Sequence, residues 1–239
     1  MTKSEIKFLE GPQSRSSDFK FSLNVMMEFI KGFRKLHFVG PCVTIFGSAR
    51  FKEGHPFYAK TEELSGKIAQ LGFTIMTGGG PGIMEAANKG AKAVGGRSVG
   101  CNIVLPHEQS HNAYLDKWVN IKYFFVRKNL LIKYSYAFVV MPGGFGTLDE
   151  YFEALTLIQT KMINEFPIVI FDTEFHKALV QHVDLMKAAG TISPEDPNLF
   201  LFTDSVDEAV AYIQKNSIAK YKLQYEKPRK PFRWLLEGS

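Results

Sequence analysis

Residues 137–150 combine residue types that can hold a phosphate group with a carboxylate that can act on the attached molecule. They read Ala-Phe-Val-Val-Met-Pro-Gly-Gly-Phe-Gly-Thr-Leu-Asp-Glu, an apolar strand followed by a turn and a helix start. Thr147 is predicted to cap that helix, and Glu150 lies one turn further along it. Amide N–H groups exposed together at a helix start bind anions, and the helix dipole favours negative charge there. The glycines that allow the tight turn are Gly143, Gly144 and Gly146.

A purely structural alternative exists for the same residues. Thr147-x-x-Glu150 is also a capping-box pattern, in which Glu150 bonds back to the N–H of the capping residue. Glycine also occurs in strand-to-helix turns that bind no ligand. Phosphate binding is the favoured interpretation because these glycines follow a strand and open a helix.

Strand and helix patterns alternate along most of the chain, which predicts an α/β fold. Short continuous apolar runs predict buried strands, and such an order gives a mostly parallel sheet with helices on both faces. We expect one domain over residues 21–221, a polar, irregular and mobile extension over 1–20, and a basic tail over 222–239. A first helix is predicted over 23–38. Strands are predicted at 43–46, 73–76, 98–103, 119–124, 137–141, 168–171 and 199–202, and further helices at 58–71, 82–94, 127–134, 148–161, 175–189 and 206–221.

Two more glycine turns follow predicted strands, and parallel sheets bind ligands at the carboxyl ends of their strands. One contains Gly47 and Ser48, and the other is Gly78-Gly79-Gly80-Pro81-Gly82. The second turn is not a P-loop because no Gly-Lys-Ser/Thr follows it. Pro81 also interrupts any dinucleotide fingerprint. These departures argue against an ATPase or a dehydrogenase.

Three charged residues are predicted near the same edge of the sheet. Glu85 lies just inside the helix that begins near Gly82, where a carboxylate either contacts a ligand or simply pairs with the helix dipole. Arg127 precedes a predicted helix, and arginine positions anions rather than shuttling protons. Its alternative is an ordinary surface arginine. Lys128, taken by itself, is predicted to be solvated.

Net charge, cysteine content and the distribution of apolar residues argue against a nucleic-acid-binding, a disulfide-rich and a membrane protein. The net charge is +5, with much of the excess between Lys220 and Arg233, where no nucleic-acid-binding fold is recognisable. Two cysteines in 239 residues indicate a reducing compartment. With no signal peptide and no membrane-spanning run in the sequence, we expect a cytoplasmic protein.

His107 to His111 match the HExxH string, but they follow Pro106 in a polar segment, so we expect a loop and no zinc.

With these residues in view, the chain resembles the LOG (Lonely Guy) family, whose members are often labelled lysine decarboxylases. Residues 142–150 match its signature Pro-Gly-Gly-x-Gly-Thr-x-x-Glu throughout. Arg127-Lys128 matches the family's Arg-Lys pair, and residues 78–85 match its first glycine block. Residues 105–109 are similar to a further family segment. The resemblance covers about residues 40–215.

The resemblance implies a Rossmann-like homo-oligomer that hydrolyses the glycosidic bond of nucleoside 5′-monophosphates without a metal or redox cofactor. Cytokinin riboside monophosphates, or AMP, would yield free base and ribose 5-phosphate. Arg127 and Glu150 would be the catalytic pair. The substrate-binding set would comprise Gly47, Ser48, Gly79, Gly80, Gly82, Glu85, Lys128, Gly143, Gly144, Gly146 and Thr147.

Two alternatives to this enzyme stay open. One is a non-catalytic carrier of a nucleotide-like or molybdopterin-type phosphate ligand, because molybdenum-cofactor carriers share the architecture. The other is a pyridoxal-phosphate decarboxylase, which follows only from the old family label, since no lysine stands out as a Schiff-base former.

Overall fold

A computed structural model describes residue 6 and residues 9–104 and 111–219 of the chain. Its seven strands form one parallel sheet in the order β4-β3-β2-β1-β5-β6-β7. The strands are β1 (Cys42–Phe46), β2 (Thr74–Thr77), β3 (Ser98–Ile103), β4 (Lys117–Ile121), β5 (Ser135–Val140), β6 (Ile168–Phe171) and β7 (Phe200–Thr203). The α/β class, the parallel sheet and the single domain are therefore confirmed.

The helices connect these strands and cover both faces of the sheet. They are α1 (Arg15–Leu36), α2 (Pro56–Gln70), α3 (Ile83–Ala93), α4 (Phe124–Tyr134), α5 (Phe145–Gln159), α6 (Thr173–Ala188) and α7 (Val206–Ile213). Apolar residues of α2, α3 and α7 pack on one face, and those of α1, α4, α5 and α6 pack on the other. The central strands β1, β2 and β6 are buried along their whole length, which accounts for their continuous apolar runs.

The first helix begins earlier than the sequence predicted. It starts at Arg15 rather than near residue 23, because Ser14 is its N-cap and accepts a hydrogen bond from the Ser17 N–H. Residues 15–20 are therefore helical rather than irregular. Its inner side packs against β4 and α4 through residues such as Phe29 and Leu36.

The last predicted helix ends differently. The α-helical part stops at Ile213, and residues Gln214–Ala219 continue as a π-helical turn. The basic tail 222–239 and residues 105–110, which include most of the HExxH string, lie outside the described residues. None of the helices in the described part of the chain has the length and apolarity needed to cross a bilayer.

Candidate functional site

Three glycine turns meet where the strand order reverses, beside the carboxyl end of β1. β1 pairs with β2 on one side and with β5 on the other. The Ser48 N–H donates to the Pro142 carbonyl at 3.0 Å, and the Ser48 carbonyl accepts from the Ile83 N–H at 3.0 Å. The turn after β1 is thus hydrogen-bonded to the turns after β2 and β5. Ligands bind at such a switch point in open parallel sheets.

The start of α5 is an uncapped helix N-terminus. The helix begins at Phe145 with Gly144 as its N-cap, and neither a capping side chain nor an acidic residue occupies its first turn. Thr147 therefore lies inside the helix, and the prediction that it caps the helix was wrong. It is instead buried against Gly143, whose conversion to a larger residue would overlap the threonine side chain. The first amides of the helix are left for an anion.

Glu150 is a buried carboxylate without a hydrogen bond to one of its oxygens. The residue is 3% exposed, and its Oε2 has no partner among the described residues. The capping-box alternative is therefore not formed. Burial raises the pKa of Glu150 to about 7, although the nearby charges of Arg127 and Lys128 act in the opposite direction. A carboxyl group whose pKa is shifted to near neutral pH is a candidate for a functional role.

Arg127 faces Glu150 from the first turn of α4. This helix begins at Phe124, three residues earlier than predicted, so Arg127 lies within it rather than before it. Its Nε donates to the Cys101 carbonyl at 2.9 Å, and its Nη1 lies 3.7 Å from Glu150 Oε1. A Cβ atom added to Gly78 would lie 2.5 Å from Arg127 Nη2, so this glycine leaves room for the guanidinium group.

Lys128 joins two helices. Its Nζ lies 2.9 Å from Asp149 Oδ1 and 3.1 Å from Glu153 Oε2, both on α5. These two contacts raise the pKa of Lys128, although burial, the largest single influence, acts to lower it. The lysine side chain is only 16% exposed, so the prediction of a solvated lysine was wrong. The pair of bridges fixes the spacing of α4 and α5, the two helices that carry Arg127 and Glu150.

Glu85 lies in the first turn of α3, as predicted, and it has a partner that the sequence did not indicate. The Tyr58 hydroxyl donates to Glu85 Oε1 at 3.0 Å. Burial is the main cause that raises the pKa of Tyr58, and this hydrogen bond raises it further. Glu85 is half-buried.

The turn after β2 is shaped by close backbone contacts. Gly82 has φ = +68°, and a Cβ there would lie 2.5 Å from the Ser48 carbonyl oxygen. Gly79 has φ = +75°, and its N–H donates to Thr77 Oγ1 at 2.9 Å. A Cβ on Gly47 would overlap the Ile83 side chain. These positions need glycine for the fold itself, since left-handed φ and close approach both disfavour a side chain.

A buried polar cluster that the sequence did not predict lies behind this turn. Asn88 Oδ1 accepts from Thr77 Oγ1 at 2.7 Å and from Asn112 Nδ2 at 3.0 Å, and Asn88 Nδ2 donates to Ser98 Oγ at 2.7 Å. Asn112 Nδ2 also donates to the Gly80 carbonyl at 3.0 Å. Such satisfied networks fix local structure. The signal in the sequence is Asn88 itself, a polar residue on the apolar side of a helical pattern, where a buried side chain needs hydrogen-bond partners.

Among the residues that the structure describes, no group of histidine, cysteine and acidic side chains is arranged to hold a metal ion. His111, the described end of the HExxH string, stacks on Trp118 with ring centroids 3.9 Å apart. The other residues of that string lie outside the described residues, so the geometry of the motif is not tested.

Comparisons with known proteins place this geometry in a family. Residues 84–213 match the model of the family described as "Possible lysine decarboxylase". A cytokinin riboside 5′-monophosphate phosphoribohydrolase from Rhodococcoides fascians is 26% identical over 72% of this chain and 88% of its own length. A protein of the same name from Mycobacterium tuberculosis is 32% identical over 62% of this chain and 80% of its own length.

The fold also has solved counterparts. The molybdenum cofactor carrier protein of Chlamydomonas reinhardtii superposes with a TM-score of 0.55 at 22% identity, covering 74% of this chain and 98% of the carrier. The molybdenum cofactor binding protein of Rippkaea orientalis gives a TM-score of 0.53 at 23% identity, over 74% of this chain and 96% of the other. These similarities show a shared architecture.

Proposed function

The chain belongs to the LOG family, and on that premise we propose that it hydrolyses the N-glycosidic bond of nucleoside 5′-monophosphates. The products are a free base and ribose 5-phosphate. The observation that carries the proposal is the buried carboxylate of Glu150, held 3.7 Å from a fixed arginine beside an uncapped helix N-terminus. The names of the two bacterial relatives support the same reaction.

The 5′-phosphate binds at the first turn of α5. The exposed glycines Gly144 and Gly146 leave the amides accessible, and nothing lies within 4 Å of a Cβ built on either one. The helix dipole and the N–H donors both favour a phosphate there. The turn after β1, with Gly47 and Ser48, is hydrogen-bonded to the turns after β2 and β5. In this proposal the residues of the turn after β2 and of the helix start that follows it contact the other side of the ligand: Gly79, Gly80, Gly82 and Glu85.

The ionised form of Glu150 acts on the sugar. Cleavage of the bond between C1′ and the base builds positive charge on the ribose, as in other glycoside hydrolyses. Glu150 lies about 6 Å along the helix axis from Gly146, the distance expected for four residues at 1.5 Å each. A phosphate at the helix start therefore places the ribose near the carboxylate, which stabilises the cation and orients the attacking water.

Arg127 orients the substrate from the opposite side. Its Nε is fixed by the Cys101 carbonyl, so Nη1 and Nη2 are the groups left to face the ligand and Glu150. Arginine stays charged at all relevant pH values and so binds anions without exchanging protons. The water oxygen bonds to C1′ and releases one proton to solvent as the bond to the base breaks. The departing base takes up one proton from solvent, so the two products together carry the atoms of the water, and Arg127 assists departure by its charge alone.

Modified adenosine monophosphates such as cytokinin riboside monophosphates, and AMP itself, are the substrate class of the proposal. Homo-oligomer formation, a cytoplasmic location and independence of metal or redox cofactors stay predictions of the family resemblance. Lys128 and Thr147, which belong to the implied substrate set, have packing roles in the structure.

The test is release of free base from AMP and modified-adenosine monophosphates, followed by chromatography. Glu150→Gln should retain AMP binding and lose at least about 100-fold in base release, because one preorganised electrostatic contact is commonly worth that much. Glu174→Gln, which changes a carboxylate whose side chain is 88% exposed on α6, is the matched control. Undiminished turnover by Glu150→Gln would remove Glu150 from the mechanism. Tight binding by the wild type without base release from any nucleotide would instead favour the carrier alternative.

A further inference from the structure

Lys128 belongs to the substrate-binding set that the family resemblance implies, but its partners in the structure are two carboxylates of the protein. Its Nζ donates a hydrogen bond to Asp149 Oδ1 at 2.9 Å and lies 3.1 Å from Glu153 Oε2. The Lys128 side chain is only 16% exposed. Glu153 Oε2 is buried and has no hydrogen bond among the described residues, so its negative charge depends on the ion pair with Lys128.

The charge around Lys128 is unsuitable for a phosphate. One ammonium group and two carboxylates in contact with it leave these three side chains with one excess negative charge. A phosphate monoester carries a further charge of about −1.5 to −2 near neutral pH, so the carboxylates of Asp149 and Glu153 would repel it. The start of α5 has no acidic side chain in its first turn and suits a phosphate better.

The two partners of Lys128 flank Glu150 on the surface of α5. Asp149 directly precedes Glu150, and Glu153 lies three residues after it, where the side chains of a helix are neighbours. On α4, Lys128 directly follows Arg127. The two bridges therefore join the parts of α4 and α5 that carry Arg127 and Glu150.

The backbones of these two helices do little to fix that spacing directly. Each helix packs on the sheet, but within the described part of the chain close backbone approaches between α4 and α5 are few. Arg127 Nη1 lies 3.7 Å from Glu150 Oε1, which is beyond hydrogen-bond distance. Side-chain contacts between the helices therefore have to set this distance, and the bridges from Lys128 are placed to do so.

Lys128 also acts on Glu150 by its charge. The charged and titratable groups that act on Glu150 lie on three elements: Arg127 and Lys128 on α4, Asp149 and Glu153 on α5, and Cys101 on β3. Burial raises the pKa of Glu150 most, the two cations lower it, and the two acids raise it further. The thiol of Cys101 is buried, which raises its own pKa and keeps it neutral. Loss of Lys128 would remove one of the two cations and leave both acids.

We propose that Lys128 is a positioning residue that does not contact the ligand. Through its two bridges to α5 it holds Glu150 at the working distance from Arg127. This inference rests on the proposed hydrolysis, and it replaces the substrate contact that the family resemblance implies for Lys128. Misplacing a reacting group by about 1 Å can cost about 100-fold in rate, so a residue that only sets a distance has a measurable effect on turnover.

Steady-state kinetics and AMP binding separate positioning from substrate contact. Lys128→Met should lower kcat about 10- to 100-fold and leave KM and the Kd for AMP within about twofold of the wild type. The Kd is measured by calorimetry in the Glu150→Gln background, in which AMP is not consumed. A lost phosphate contact would instead raise the Kd about tenfold or more. That result, or an unchanged kcat, would overturn the proposal.

Exchanging the charges tests the bridge without abolishing it. Lys128→Glu should lower kcat more than Lys128→Met, because three carboxylates then repel one another between α4 and α5. The double variant Lys128→Glu, Glu153→Lys returns an ion pair to the two helices at unchanged net charge, and it should recover at least about tenfold in kcat over Lys128→Glu. Lys128→Arg should keep most of the wild-type kcat. A double variant no faster than Lys128→Glu would refute the role of the bridge.

Lys67→Met is the matched control, because Lys67 also contacts two carboxylates and joins two helices. Its Nζ lies 2.9 Å from Glu63 Oε1 and 2.8 Å from Asp207 Oδ1, the latter on α7. It lies in the last turn of α2, at the end of that helix remote from the glycine turns. Lys67→Met should therefore keep the wild-type kcat and KM.

A titration of the ligand-free protein keeps this inference separate from the proposed reaction. The carboxyl carbon of Glu150, assigned by its absence in Glu150→Gln, is followed by carbon NMR as the pH changes. Its pKa should be higher in Lys128→Met than in the wild type and near the wild-type value in the double variant. A wild type that binds AMP but releases no base would refute the hydrolysis, while this titration and the Kd for AMP still test Lys128. Equal pKa values in the wild type and Lys128→Met would show that Lys128 does not act on Glu150.

Discussion

Replacing Glu150 by glutamine should make the protein more stable at alkaline pH while removing its activity. Burial raises the pKa of Glu150 from 4.5 to about 7 in the folded protein. Below about pH 4.5 the carboxyl is protonated in both the folded and the unfolded chain. Between pH 4.5 and 7 the folded chain keeps a proton that the unfolded chain has released. The free energy of unfolding of the wild type therefore falls as the pH rises through this window.

The size of the change in unfolding free energy follows from the difference between the pKa values of Glu150 in the unfolded and the folded chain. A difference of about 2.5 pKa units corresponds to about 3 kcal/mol of unfolding free energy, present below the window and lost above it. Glutamine has no proton to lose and keeps a similar shape, so Glu150→Gln escapes this loss. For a chain of this size about 3 kcal/mol is equivalent to a rise of about 6–12 °C in Tm.

Urea unfolding of the wild type and of Glu150→Gln at pH 4.5 and pH 8.5 measures this effect. The difference between the two proteins should grow by about 3 kcal/mol from the lower to the higher pH. Comparing the proteins at each pH cancels the contribution of all other titrating groups. Glu174→Gln, at an exposed side chain, should show little change at either pH. A difference that is the same at both pH values would refute the claim that burial destabilises the ionised form of Glu150.

Three further predictions concern the groups around Glu150. Arg127→Gln removes the main charge that lowers the pKa of Glu150, so the acid limb of the pH profile of kcat/KM should lie near pH 7 in the wild type and move to higher pH in the variant. A Cβ at Gly146 meets open space inside a helix, so Gly146→Ala should raise the free energy of unfolding by up to about 1 kcal/mol. The same methyl group would enter the proposed phosphate site and should raise KM; an unchanged KM would place the phosphate elsewhere. Asn88→Ala should lower the free energy of unfolding by about 1–3 kcal/mol in a urea titration, since it leaves buried partners unsatisfied, and a neutral result would show that the cluster contributes no stability.

Local patterns were sufficient to predict the sheet. β3 and β6 have the predicted bounds, and the other strands differ by a few residues at their ends. Continuous apolar runs between glycine turns have few alternatives to buried parallel strands, because such runs need cover on both faces. The helix starts at Arg15, Phe124 and Phe145 were each placed too late. No side chain caps the helices that begin at Phe124 and Phe145, so the sequence has no local signal for those two starts. Ser14 does cap α1, but it lies in a polar segment without a helical apolar pattern.

The site was predictable as a set of positions but not as a set of contacts. That the glycine turns converge follows from the parallel order of the strands. That Arg127 is held by the Cys101 carbonyl, and that Lys128 bridges to α5 rather than facing solvent, depends on residues far apart in sequence. The cluster around Asn88 joins β2, α3 and β3 in the same non-local way. Pairings of this kind are decided by packing and not by local periodicity.

The distance between Arg127 and Glu150 leaves the ionised form of Glu150 only partly stabilised in the folded protein. A direct ion pair at hydrogen-bond distance would satisfy the carboxylate and hold its pKa low. Here Nη1 stays 3.7 Å away because Nε is committed to the Cys101 carbonyl, and Oε2 has no partner among the described residues. The negative charge of the ionised carboxylate is therefore not fully balanced by a positive charge or hydrogen-bond donor among the described residues. In the proposed reaction, a positive charge that develops on the ribose next to Glu150 would satisfy that attraction. The destabilisation of the free protein would then become stabilisation of the transition state.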